Sequence, residues 1–77
     1  MPTPLEGRYA NYFEIGFTVH EFLMDFGQFD QDSESAIRHT RIIATPVSIG
    51  MFLRMLVDVV ARYEASQGPI GEPDGNP

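Results

Sequence analysis

Apolar residues recur at two different periods along this chain, and the change of period divides it. From Ile49 to Tyr63 they fall at steps of three and four, through Phe52, Leu53, Leu56, Val59 and Val60, with Met55 and Val57 on the flanks. That spacing makes a helix with one broad apolar face. Its ends are marked. Thr45 suits the N-cap, Pro46 suits the first helical position because its missing N–H donor costs nothing there, and Gly68-Pro69 is a stop. The spacing therefore predicts one helix from Thr45 to Gly68. Arg54, Asp58 and Arg62 form an opposite-charge ladder at four-residue spacing on the remaining face, the ordinary way to solvate a helix. The apolar arc covers more than half of the circumference.

Upstream, Tyr9 to Gly16 and Glu21 to Phe29 are rich in aromatic and branched side chains, the composition of strands. Thr18-Val19 lacks the Gly or Asn of a two-residue primed turn, so a four-residue loop, Phe17 to His20, is expected to join them. Pairing Gly16 with Glu21 sets Ile15 opposite Phe22, Phe13 opposite Met24 and Asn11 opposite Phe26. One face is then almost wholly apolar. A polar loop, Asp30 to Ala36, leads to a third strand from Ile37 to Ala44. Pairing Phe29 with Ile37 brings Thr40, Ile42 and Ala44 to the same apolar face and puts Arg41 opposite Asp25. Tyr12, Asp25 and Arg41 then share a row on the outer face, with His39 beside Gly27. The expected fold is α+β: a three-stranded antiparallel β-meander followed by one long C-terminal α-helix packed on its apolar face. Residues 1–8 are read as an irregular lead-in, 9–68 as a single domain and 69–77 as a flexible Pro/Gly/acidic tail.

Composition narrows the partners more than it names a function. The chain has 77 residues, no Cys, 43% hydrophobic residues, and 11 acidic against 5 basic side chains, all Arg, for a net charge of −6. Without disulfides or thiolate metal sites, packing alone must hold so small a domain. The negative charge is unfavourable for a phosphate backbone, so nucleic acid is not an expected partner. No stretch resembles a membrane span or the apolar core of a signal peptide, so a cytoplasmic location is expected.

Chemical constellations are sparse. His20 and His39, with Glu21 and Asp25, are metal-ligand types without the close spacing of a dedicated site. Ser48 has no base placed to activate it. Asp25, opposite Arg41, is held ionised, the wrong state for a general acid. Arg38 and Arg41 are the only local concentration of positive charge, and in a regular strand they point to opposite faces. No cofactor and no catalysis are expected.

Several short features together resemble a family. Tyr9-Ala10-Asn11, Glu21-Phe22, Asp25-Phe26, Arg41-Ile42, Thr45-Pro46, Tyr63-Glu64 and Gly68-Pro69-Ile70 are similar to the pattern of a short bacterial family, domain of unknown function 3467. The resemblance covers roughly Tyr9 to Ile70. Many relatives carry a His soon after the first strand and His-Ala-Lys in the first helical turn, where this chain has Phe17 and Ser48-Ile49-Gly50. What the resemblance implies is a fold and a family, not an activity.

A single helix over three strands can bury only part of its arc, and the excess must meet another copy or another protein. The expectation is a small non-enzymatic, homo-oligomeric interaction or scaffold protein, with Leu53, Val57 and Val60 on one flank of the helix, or Met51 and Met55 on the other, as the oligomer interface. The alternative is a small-ligand or anion/nucleotide-binding module on the outer sheet face around Arg41, His39 and Tyr12.

Overall fold

The computed structural model describes residues 4–71. Three antiparallel strands, β1 (Tyr12–Phe17), β2 (Phe22–Asp30) and β3 (Ser35–Ala44), are followed by one helix, α1 (Pro46–Gln67). The strands lie in the order β1-β2-β3, so this is an α+β chain built on a meander. It divides into two compact units between Pro46 and Val47, and each is described separately. The expected tail from Pro69 to Pro77 lies outside the described residues beyond Gly71, as do the first three residues of the lead-in.

The first hairpin is slipped by two residues from the expected register. Phe17 pairs with Phe22, Ile15 with Met24 and Phe13 with Phe26, in place of Ile15 with Phe22 and Phe13 with Met24. Strand β1 thus runs one residue beyond Gly16, and Tyr9 to Asn11 lies outside it. Two local causes favour this register. Thr18 closes the turn, its N–H donating to the Glu21 carbonyl at 2.8 Å and its hydroxyl oxygen accepting the His20 and Glu21 N–H groups at 3.2 and 3.1 Å. The slip also brings Phe13 edge-on to Phe26, ring centroids 5.7 Å apart, and Phe17 beside Phe22 at 5.9 Å, an arrangement that adds to simple burial. An even slip keeps every side chain on its face. The apolar face is therefore intact, as three cross-strand rows: Phe17, Phe22 and Ala44; Ile15, Met24 and Ile42; Phe13, Phe26 and Thr40.

The β2–β3 pairing follows the expected register from Phe22/Ala44 to Phe26/Thr40 and then breaks at a β-bulge. Beyond it Gly27 pairs with Arg38 rather than His39, and Phe29 with Ala36 rather than Ile37. His39 is the extra residue. Glycine is required at the opposing position, since a Cβ on Gly27 would overlap the Ile37 carbonyl oxygen and stand 2.8 Å from the Arg38 Cα. Asn11 extends the hairpin past β1. Its N–H donates to the Gly27 carbonyl at 3.0 Å, and its side-chain oxygen accepts the Phe29 N–H at 2.8 Å. The β2–β3 turn is ordered by Asp30, whose carboxylate accepts the Asp32 N–H and the Ser33 hydroxyl, both at 3.1 Å.

The helix starts and stops where its signals lie. Thr45 precedes Pro46, the first helical residue, and Gly68 adopts a φ of 97° just past the end. Its N–H closes the last turn on the Glu64 carbonyl at 2.9 Å, and the Ile70 N–H donates to the Glu64 carboxylate at 3.1 Å. This is the left-handed cap that glycine permits without a Cβ penalty.

The bulge predicts a sharp contrast between two strand glycines. Gly27→Ala forces the backbones of β2 and β3 apart and should lower stability by about 1–3 kcal/mol or more. Gly16→Ala, where a Cβ meets nothing within 4 Å, should be neutral or mildly stabilising, because a strand interior favours Ala over Gly. Urea denaturation of both variants checks this, and equal effects would contradict the bulge.

Candidate functional site

The bulge reorganises the charged side chains of the outer sheet face. In an uninterrupted strand Arg38 and Arg41 project to opposite sides; the extra residue, His39, turns Arg38 to the side of Arg41. Both guanidinium groups converge on Asp25. Arg41 grips it with two bonds, Nε to Oδ1 at 2.7 Å and Nη2 to Oδ2 at 2.8 Å, while Arg38 Nη1 reaches Oδ2 at 3.2 Å and Glu14 Oε1 at 2.9 Å. The expected row of Tyr12, Asp25 and Arg41 is corrected accordingly. Asp25 does face Arg41, but the slipped hairpin places Glu14 opposite Asp25 and moves Tyr12 opposite Gly27. Tyr12 joins at one remove, its hydroxyl donating to Glu14 Oε2.

The arrangement has a clear electrostatic logic. Asp25 is the one buried charged side chain among the described residues, at 6% exposure, and the half-exposed stems of Arg38 and Arg41 cover it. The hydrogen bonds from Arg41 are the main reason its carboxyl titrates below the ordinary range; burial opposes this, and the charges of Arg41 and Arg38 assist it. Asp25 raises the pKa of Arg41 in return. The Glu14 carboxylate beside the Tyr12 hydroxyl pushes that phenol up, chiefly through their hydrogen bond, so Tyr12 keeps its proton. Two carboxylates against two guanidinium groups make the cluster formally neutral. It is a bidentate, charge-assisted lock between adjacent strands.

His39 is used locally. Its Nε2 lies 3.0 Å from the Tyr9 carbonyl oxygen, which can only accept, so Nε2 carries a proton, and Nδ1 lies in hydrogen-bond contact with the Thr40 hydroxyl at 2.7 Å. The ring ties β3 to the segment before β1. With Asp25, Arg38, Thr40 and Arg41 it lines an open depression of ≈ 360 Å³. His20 sits in the β1–β2 turn, far in sequence from His39 and not joined to it by any hydrogen bond described here. Sequence spacing gives no role to Glu14 or Gly27, and it places Arg38 on the face opposite Arg41. An isolated Gly inside a strand pattern is nonetheless the signal of a bulge, and from it the turning of Arg38 follows.

The second feature is the apolar surface. No apolar side chain among the described residues is buried. On the sheet, Ile15 and Phe17 are 70% and 76% exposed; on the helix, Met55 and Val57 are 65% and 60% exposed, and α1 has no buried residue. Leu56, Val57, Val60, Ala61 and Glu64 line a shallow groove of ≈ 370 Å³ along α1. Met51 and Leu53, the other expected interface residues, are likewise exposed. No helix among the described residues is long and apolar enough to cross a membrane.

A family model described as "Protein of unknown function (DUF3467)" matches residues 2–72. The chain belongs to this family. The match spans both the sheet with its ion-pair cluster and the helix with its apolar arc, and the family description assigns neither of them a role. Neither the curated proteins nor the solved structures yield a match.

Ion pairing at Asp25 sets a pH dependence. Its folded pKa lies below the unfolded value near 4, so the pairing stabilises the fold fully above about pH 4 and is lost as pH falls through the lower folded value. Asp25→Asn should melt below the parent at neutral pH and show a shallower loss of melting temperature on acidification. Thermal melts across an acid series check this; parallel slopes would show that Asp25 is not the titrating lock.

Proposed function

We propose that this protein is a non-enzymatic interaction protein that functions as a homo-oligomer, a dimer in its simplest form. The observation that carries the reading is the absence of any buried apolar side chain among the described residues, in a chain that is 43% hydrophobic. Burial of apolar area is the dominant favourable term in folding, and a chain that keeps its own apolar faces in water lacks it.

The ligand-binding reading around Arg41, His39 and Tyr12 is less well supported. Asp25 already engages both arginines and Glu14 shares one of them, so an incoming anion competes with carboxylates held in place by the fold. The cluster reads as the part that stiffens the sheet, and the apolar surfaces as the part that acts.

If folding and association are one transition, melting temperature rises with protein concentration, because the partner chain binds only the folded state. Val57→Glu and Met55→Glu probe opposite flanks of α1. An unpaired charge in an interface costs several kcal/mol, so the variant that lies in it should weaken association by about 100-fold or more. Val57 adjoins the groove at Val60 and is expected to be the sensitive one. Light scattering over a dilution series and thermal melts of parent and variants read this out. A mass of one chain with a concentration-independent melt would contradict the reading.

A further inference from the structure

We infer that the open edge of β1 is a joint between two copies of this chain, pairing antiparallel with β1 of the second copy across a two-fold axis at Ile15. This rests on the association reading above and names the surface and its occupant; it concerns the sheet unit alone. In the order β1-β2-β3 each outer strand leaves one edge unpaired among the described residues. The two edges differ. β3 carries the bulge at His39 and the charges of Arg38 and Arg41, devices by which natural sheets guard an edge against pairing. β1 runs from Tyr12 to Phe17 in unbroken register, with no Pro and one charge, Glu14, which is already bonded to Arg38 and Tyr12. All of its residues except Tyr12 are exposed.

The backbone decides which groups face outward. The Thr18 N–H donates to the Glu21 carbonyl, so in this register Gly16 with Leu23 and Glu14 with Asp25 are also hydrogen-bonded pairs. Phe13, Ile15 and Phe17 therefore turn their N–H and C=O groups to the open edge, and no backbone hydrogen bond from another described segment reaches them. With Ile15 on the axis, Phe13 meets Phe17 of the second copy and Ile15 meets its own counterpart, exchanging about six hydrogen bonds. The side chains then match on both faces. On the apolar side the Phe13–Phe26 and Phe17–Phe22 contacts merge into one aromatic row that runs Phe26, Phe13, Phe17, Phe22 across the joint. On the outer side Glu14 falls opposite Gly16, so the two Glu14 carboxylates are kept apart. Centring the pair on Glu14 instead brings like charges face to face, which is destabilising, and centring it on Gly16 puts Phe13 opposite Val19, outside the strand. The pair is a six-stranded sheet in which the three apolar rows run on from one chain into the other.

The chain has no Cys, so site-specific cross-linking is unambiguous. Ile15→Cys marks the centre of the β1 edge, and Ile42→Cys marks the same row at the β3 edge. Opposite residues of a hydrogen-bonded pair stand about 5.5 Å apart at Cα, within disulfide reach. The full-length variants are oxidised in a glutathione buffer, after circular dichroism and light scattering under reducing conditions confirm that they fold and associate as the parent does. Ile15→Cys is expected to form a covalent dimer about 10-fold or more faster than Ile42→Cys, because thiols held opposite one another meet at high effective concentration. Phe13→Cys and Phe17→Cys, unfolded together and refolded as a mixture, report the register independently, and decide the matter should an isoleucine variant fail to fold. The product containing one of each should predominate over either product of like chains. An associating parent whose Ile42→Cys variant links as fast as Ile15→Cys, or whose mixture favours like chains, would overturn the β1 joint while leaving association intact. A single-chain mass for the parent would remove the association reading itself, and with it the second copy as occupant of the edge.

Discussion

Unburied apolar surface is the constraint on which the rest of this molecule depends. Side chains such as Phe17, Ile15 and Met55 remain mostly exposed in one chain, although fully burying a side chain of this size contributes about 1.5–3 kcal/mol. Local interactions do the remaining work within each chain. Thr18, Asn11 and Asp30 shape the turns and edges of the sheet, and Gly68 ends the helix. Such contacts specify geometry well but contribute only about 1 kcal/mol each, too little to offset the ordering of some sixty residues. On the association proposed above, the missing stability comes from a surface supplied by a second chain.

The β-bulge at Gly27 and His39 sets the character of the outer sheet face. By turning Arg38 to the side of Arg41, it surrounds Asp25 with donors and ties β1, β2 and β3 together on the outer face through Glu14. One face thereby carries the ion-pair cluster, and the other carries the three apolar rows. Such a division of labour suits a platform that must hold its shape before its partner arrives, since a preorganised surface loses less entropy on association.

Much of this was legible in the residues themselves. The helix bounds followed from Thr45-Pro46 and Gly68, and the Asp25–Arg41 neighbourhood from the β2–β3 loop length. The hairpin register was not, because a slip by two preserves the alternation on which a paper register rests; the choice fell to the Thr18 turn and the Phe13–Phe26 and Phe17–Phe22 pairs. The bulge escaped because alternation was continued through Gly27. Unbroken alternation misplaces His39 and puts Arg38 on the wrong face, while Glu14 reaches the cluster only through the separate two-residue slip of the hairpin. The apolar arc of α1 and the apolar rows of the sheet both keep large side chains exposed, Met55 and Val57 on the first and Ile15 and Phe17 on the second.

Hydrogen exchange measured at descending protein concentration tests the central claim most directly, because amide protection reports the stability of each element rather than of the whole. If association creates the core, protection in β1, β2, β3 and α1 falls together as the chains are diluted, in step with the loss of dimer mass. Amides that stay protected at concentrations where the protein has the mass of one chain would contradict the account, since they would require a core within the single chain.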